Sequence, residues 1–169
     1  SREKTVYEER FMQRAIEISR RALSEPGIEP FGAVVVRDGA IVGEGLNHSK
    51  AHFDPTSHGE TEAIRDAGRR LECVDLSDCE LYSSCEPCAL CIAAMHIAGI
   101  RRLYYAASSG GAGQAMAGLT TAMRHPIDVA SLRADCAVPA DAGSMLVSRH
   151  REAEAVEVIA AWTAMKMGE

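Results

Sequence analysis

ELYSSCEPCALCIAAMHIAGIRRLYYAA, residues 80–107, reads as strand, helix, strand. Residues 80–84 are a short strand. Pro87 then opens a strongly apolar helix that ends at Gly99, as proline fits the first helical position and glycine the place just past the last. Residues 101–107 form the next strand, rich in Leu and Tyr. A strand, helix and strand in this order close as a right-handed parallel crossover. That places the chain in the α/β class.

Working outward, residues 5–23 carry Phe11, Ala15, Ile16, Ile18, Ala22 and Leu23 at helical spacing, and Pro26-Gly27 ends that pattern. Residues 31–36 and 40–46 are apolar runs joined by Arg37-Asp38-Gly39, which reads as a β-hairpin. Residues 47–57 are loop, with Asp54-Pro55 as a turn signal, and 58–70 form a helix burying Ala63, Ile64 and Ala67. Downstream, 108–118 is a glycine-rich loop, expected to be mobile. A short helix over 126–134, a fifth strand within 137–147 and a final helix over 151–167 complete the pattern. There is no repeat and no linker, so 1–169 is expected to be one domain.

The chain has 169 residues, 47% hydrophobic and 25% charged, a globular balance. No apolar run approaches membrane-spanning length. Residues 1–14 are too charged to hold the apolar stretch of a signal peptide. A net charge of −6 disfavours a nucleic-acid backbone as partner, since such partners are held by a basic field. Arg20-Arg21, Arg69-Arg70 and Arg101-Arg102 read as solvated surface, and a small free substrate is expected. Six cysteines without a secretory leader point to a reducing, cytoplasmic setting.

The chemistry sits in His58-Gly59-Glu60 and in Pro87-Cys88-Ala89-Leu90-Cys91, each at the start of a helix. Cys88 and Cys91 are three apart, so both project from one helix face near a terminus that favours thiolates. With His58 they make three nitrogen and sulfur ligands that suit one zinc ion per chain. Three protein ligands instead of four is the count of a catalytic site, which keeps a position for water. Residues two apart diverge on a regular helix, so His58 and Glu60 converge only if His58 caps it. Glu60 then stands beside the water as a proton shuttle. Cys85 reads as a packing residue, as do Cys73, Cys79 and Cys136. His48, His52, His96, His125 and His150 have no ligand partner at useful spacing.

These residues resemble the cytidine deaminase-like superfamily of zinc deaminases, whose signature pairs H-x-E with P-C-x-x-C. The likeness is greatest to the bacterial guanine deaminase branch. Pro30-Phe31-Gly32-Ala33-Val34, Asp54-Pro55-Thr56, Glu62-Ala63-Ile64-Arg65, Ser84-Cys85-Glu86-Pro87-Cys88, Tyr105-Ala106-Ala107 and Ala161-Trp162 carry it. The resemblance implies a three-layer α/β/α fold with a mixed five-stranded sheet, zinc on His58, Cys88 and Cys91, and Glu60 as shuttle. It also implies that Asn47 hydrogen-bonds the substrate ring, that Phe31 walls the pocket and that Trp162 belongs to the substrate site. Read without the family, Phe31 serves equally as core and Asn47 as a turn residue. The branch is similar in forming homodimers that exchange C-terminal segments, here about 150–167.

Two departures stand out. Gly59 replaces the family's alanine, and Leu119 lies where the guanine branch carries an acid. The expected activity is hydrolytic deamination of a free nucleobase or related amino-heterocycle. A guanine-like purine comes first, cytosine or an amino-triazine next. A transfer RNA adenosine deaminase and a non-catalytic zinc-bearing subunit are the alternatives.

Overall fold

The computed structural model describes residues 6–169. Thr5, the start of the first expected helix, lies outside the described residues. The chain falls into two compact units, one extending to Ile127 and the other spanning Asp128–Glu169.

The first unit is an α/β/α sandwich. It contains α1 (Glu9–Ser19), continued by a 3₁₀ turn (Arg20–Leu23), then β1 (Glu29–Arg37), β2 (Ala40–Asn47) and α2 (Gly59–Leu71). β3 (Glu80–Cys85), α3 (Ala89–Ala98), β4 (Arg102–Ala107) and a short α4 (Ser109–Ala115) follow. The first helix ends earlier than its apolar spacing suggests, and Leu23 is 82% exposed.

The sheet has four strands in the order β2-β1-β3-β4. β1 pairs antiparallel with both β2 and β3, while β3 and β4 are parallel, as the crossover requires. The β1–β2 turn is Asp38-Gly39, both at positive φ, the backbone a two-residue hairpin needs.

Alternation along the strands divides the core. Ala33, Val35 and Leu81 face α2 and α3, packing on Ala63, Ala67 and Met95. Val34, Val36 and Tyr82 face the other way, onto Phe11, Met12, Ala15 and Ile18 of α1. α2 sits unusually close to β2. A Cβ on Gly45 would lie 2.1 Å from the Gly59 carbonyl oxygen, so only glycine allows that approach.

The second unit contains α5 (Val129–Cys136), a 3₁₀ turn (Ala140–Ala142) and α6 (Glu152–Met167). Asp128 caps α5 by accepting from Ser131 N–H at 3.0 Å. Val156, Ile159, Trp162 and Met165 of α6 are all exposed.

Three expectations are corrected. No fifth strand forms in 137–147 among the described residues: Pro139 removes a donor from any ladder and Ala140–Ala142 coil into the 3₁₀ turn. Residues 108–118 are not simply loop, because the Ser108 side chain accepts from Gly111 N–H and starts α4. Of the cysteines read as packed, Cys79 is buried, Cys73 and Cys85 are half-buried, and Cys136 is exposed. Among the described residues, no helix is long and apolar enough to cross a membrane.

Candidate active site

His58 caps α2 in extended conformation (φ −105°, ψ 158°), and the Thr61 side chain completes a capping box around it. Cys88 caps α3 in the same way (φ −74°, ψ 176°), with Pro87 just outside the helix instead of in its first turn. Two helix N-termini therefore present their first side chains to one point. Gly59 has a steric reason to differ from alanine: its Cβ would meet the Phe31 carbonyl oxygen at 2.6 Å.

The three ligand atoms form a compact triangle. His58 Nδ1 lies 3.4 Å from Cys88 Sγ and 3.5 Å from Cys91 Sγ, and the sulfurs are 3.9 Å apart. A tetrahedral zinc with ordinary Zn–S and Zn–N bonds has edges of about 3.8 Å between sulfurs and about 3.6 Å between sulfur and nitrogen. The donor set and its spacing fit zinc. Cys88 is pulled down to about 4, first by its hydrogen bond with Cys91 and then by that with His58. Cys91 is pushed up, by its hydrogen bond to Cys88 and by burial. His58 is raised, chiefly by the hydrogen bond with Cys88 and also by the charges of Glu60 and Glu29.

Glu60 lies in the first turn of α2 and is 4% exposed. Its Oε2 is 3.0 Å from Cys91 Sγ, and its Oε1 accepts from Ser83 Oγ at 2.5 Å. A buried carboxylate at the edge of the ligand triangle, anchored by one oxygen, is placed to move a proton there.

Asn47 ends β2 and is buried, its Oδ1 accepting from Ser49 N–H at 2.9 Å. Phe31 is half-buried beneath the Arg124 guanidinium, 5.5 Å from the ring centroid. Trp162 lies on α6 in the second unit and is 58% exposed. Cys85 is not part of the ligand triangle; burial pushes its thiol up.

The fold adds residues that sequence reading missed. Ser83 holds Glu60, and Arg124 pairs with Glu29 at 2.8 Å. Glu29 is opposite Asn47 in the hairpin and two residues before Phe31. A sequence separation of 95 between Glu29 and Arg124 gives no local signal. His48 and His52, read as lacking partners, meet Glu62 in a second ligand-type cluster.

The cytidine and deoxycytidylate deaminase zinc-binding region matches residues 6–107. The chain belongs to this family. Its members' chemistry and the His58–Cys88–Cys91 triangle make it a zinc-dependent deaminase. It is 42% identical over 107 residues to guanine deaminase of Bacillus subtilis (strain 168), covering 63% of this chain and 69% of that one. It is 37% identical over 99 residues to the tRNA-specific adenosine deaminase of Aquifex aeolicus (strain VF5), covering 59% and 65%. The matches thus span about two thirds of the length of these curated relatives. The X-ray structure of guanine deaminase from Bacillus subtilis superposes with a TM-score of 0.78 at 32% identity, over 94% of this chain and 95% of that one.

Proposed function

We propose that this zinc-dependent deaminase acts on a free nucleobase or closely related amino-heterocycle, a guanine-like purine first and cytosine or an amino-triazine next. The carrying observation is the buried Glu60 carboxylate, 3.0 Å from Cys91 Sγ at the edge of the ligand triangle. Similarity to guanine deaminase, across nearly the whole length of the solved structure, supports the purine.

In this reading His58, Cys88 and Cys91 hold the metal. Zinc, when bound, supplies the Lewis acidity that makes water nucleophilic near neutral pH. Overall, water replaces the exocyclic amine: a C–O bond forms, the C–N bond breaks, and ammonia leaves. Glu60 takes the water proton at Oε2 and delivers it toward the leaving amine. Ser83 keeps Oε1 fixed throughout. Asn47 and Phe31 orient and wall the ring, and Trp162 contributes to the substrate site. A buried proton shuttle has no use in a purely structural subunit.

The whole of 1–169 then acts as one deaminase domain. It works as a homodimer in which the segment about 150–167 is exchanged, because the exposed apolar side chains Val156, Ile159, Trp162 and Met165 need a partner. Six free cysteines suit the cytoplasm.

An ammonia-release screen of zinc-loaded protein tests the substrate class, across bases, nucleosides, triazines and a transfer RNA stem-loop. Turnover of a free base supports the reading. Turnover confined to the stem-loop favours the alternative suggested by likeness to the Aquifex enzyme. A monomeric mass at micromolar concentration removes the dimer.

A further inference from the structure

The loop joining β2 to α2 begins with one helical turn, in which His52 N–H donates to His48 O at 2.8 Å. His48 and His52 therefore have the i, i+4 spacing that brings two side chains together. Their rings stack, with centroids 4.5 Å apart and planes 5° apart. Glu62, in the first turn of α2, joins them: one ligand atom from each of the three lies within 4.8 Å of the others.

Hydrogen bonds prepare this cluster. His48 Nδ1 is 2.8 Å from the Leu46 carbonyl oxygen, which only accepts, so Nδ1 carries the proton and Nε2 offers its lone pair. Ser57 Oγ donates to Glu62 Oε1 at 2.9 Å and accepts from His48 N–H at 3.0 Å. One fully buried hydroxyl thus ties the carboxylate to the histidine. Arg65 approaches Glu62 Oε1 at 3.8 Å, too far to hydrogen-bond it. His52 is exposed, so its ring is free to leave the stack and aim a nitrogen in plane at an ion.

We propose that His48, His52 and Glu62 form a second metal site, which takes a divalent transition ion such as Zn²⁺, Ni²⁺ or Cu²⁺. Two imidazole nitrogens and one carboxylate oxygen suit these ions, whereas Mg²⁺ and Ca²⁺ want oxygen alone. Occupancy clamps the loop between Asn47 and His58 against α2. The site shares no ligand with His58, Cys88 and Cys91 and does not depend on the deaminase reading.

Calorimetric titration of untagged, zinc-loaded, full-length protein with NiCl₂ tests the proposal, with elemental analysis reporting whether zinc is retained. The expected result is one Ni²⁺ bound per chain beyond the retained zinc. His48→Gln/His52→Gln weakens that binding about tenfold or more, the scale on which even outer partners of metal sites act. In a parallel melt, Ni²⁺ raises the Tm of the wild type but not of His52→Gln, an exposed change that leaves the core intact. No Ni²⁺ beyond exchange for zinc overturns the proposal. So does equal binding by wild type and His52→Gln.

Discussion

The Ser83 hydroxyl lies 2.5 Å from Glu60 Oε1, and both residues are buried. β3 therefore fixes the carboxylate that α2 delivers. A hydrogen bond to a charged group contributes about 1.5–3 kcal/mol, which is about 10–100-fold in rate if the bond matters to the shuttle. Ser83→Ala should lower kcat by about tenfold or more, with KM and zinc content little changed. Steady-state kinetics beside elemental analysis check this. An unchanged kcat removes Ser83 from the site.

Gly45 is where β2 and α2 nearly touch. A methyl there would lie 2.1 Å from Gly59 O and 2.3 Å from Ala63 N, both backbone atoms that cannot swing aside. Gly45→Ala should cost about 3 kcal/mol or more, toward the upper end for single substitutions. It should also displace the α2 terminus that carries His58. Urea unfolding measures the loss; a shift under about 1 kcal/mol would mean the helix moves away freely.

Arg14 and Glu44 join α1 to β2 through a paired contact of 2.6 Å and 3.0 Å. The hydrogen bond from Arg14 holds the Glu44 carboxyl below its ordinary range. Because the folded value is the lower one, the pair stabilises above the unfolded pKa of about 4.3. That stability is lost as pH falls through the folded value. Arg14 is 38% exposed at the side chain, so the effect is about 1 kcal/mol or less. Glu44→Gln should be less stable than wild type at pH 7, and the gap should close in acid. A gap independent of pH contradicts the assignment.

Arg124 pairs with Glu29 while lying over Phe31, on the strand end opposite Asn47. Glu29 is thereby a carboxylate beside Asn47 and Phe31, the two residues proposed to bind the ring. Mismatched polar groups in a binding site discriminate strongly. Arg124→Gln should change the ratio of kcat/KM between guanine and the other bases by about tenfold or more, with zinc retained. An unaltered ratio removes the pair from recognition.

Much of this was legible in the chain. The β-branched run at Val34, Val35 and Val36, followed by the Arg37-Asp38-Gly39 turn, marks the hairpin, and the apolar stretch after Pro87 marks the crossover, because those signals are local. His58 as a cap followed from requiring His58 and Glu60 to converge, and the backbone at His58 is extended as that demands. The fifth strand expected within 137–147 does not form, because Pro139 and Gly143 interrupt any ladder that Val138 and 145–147 could build. Ser83 beside Glu60, Arg124 beside Glu29 and Glu62 beside His48 were invisible, since each pairing exists only once the sheet and helices are stacked.

The most direct test of the central claim is ammonia release by Glu60→Gln beside wild type, with zinc content measured in both. Glutamine is nearly isosteric but cannot carry the proton. Wild type should release ammonia from a free base, and the variant should keep its zinc while losing kcat by about 10²–10⁴-fold. A zinc-loaded Glu60→Gln that turns over at near wild-type rate would contradict the account.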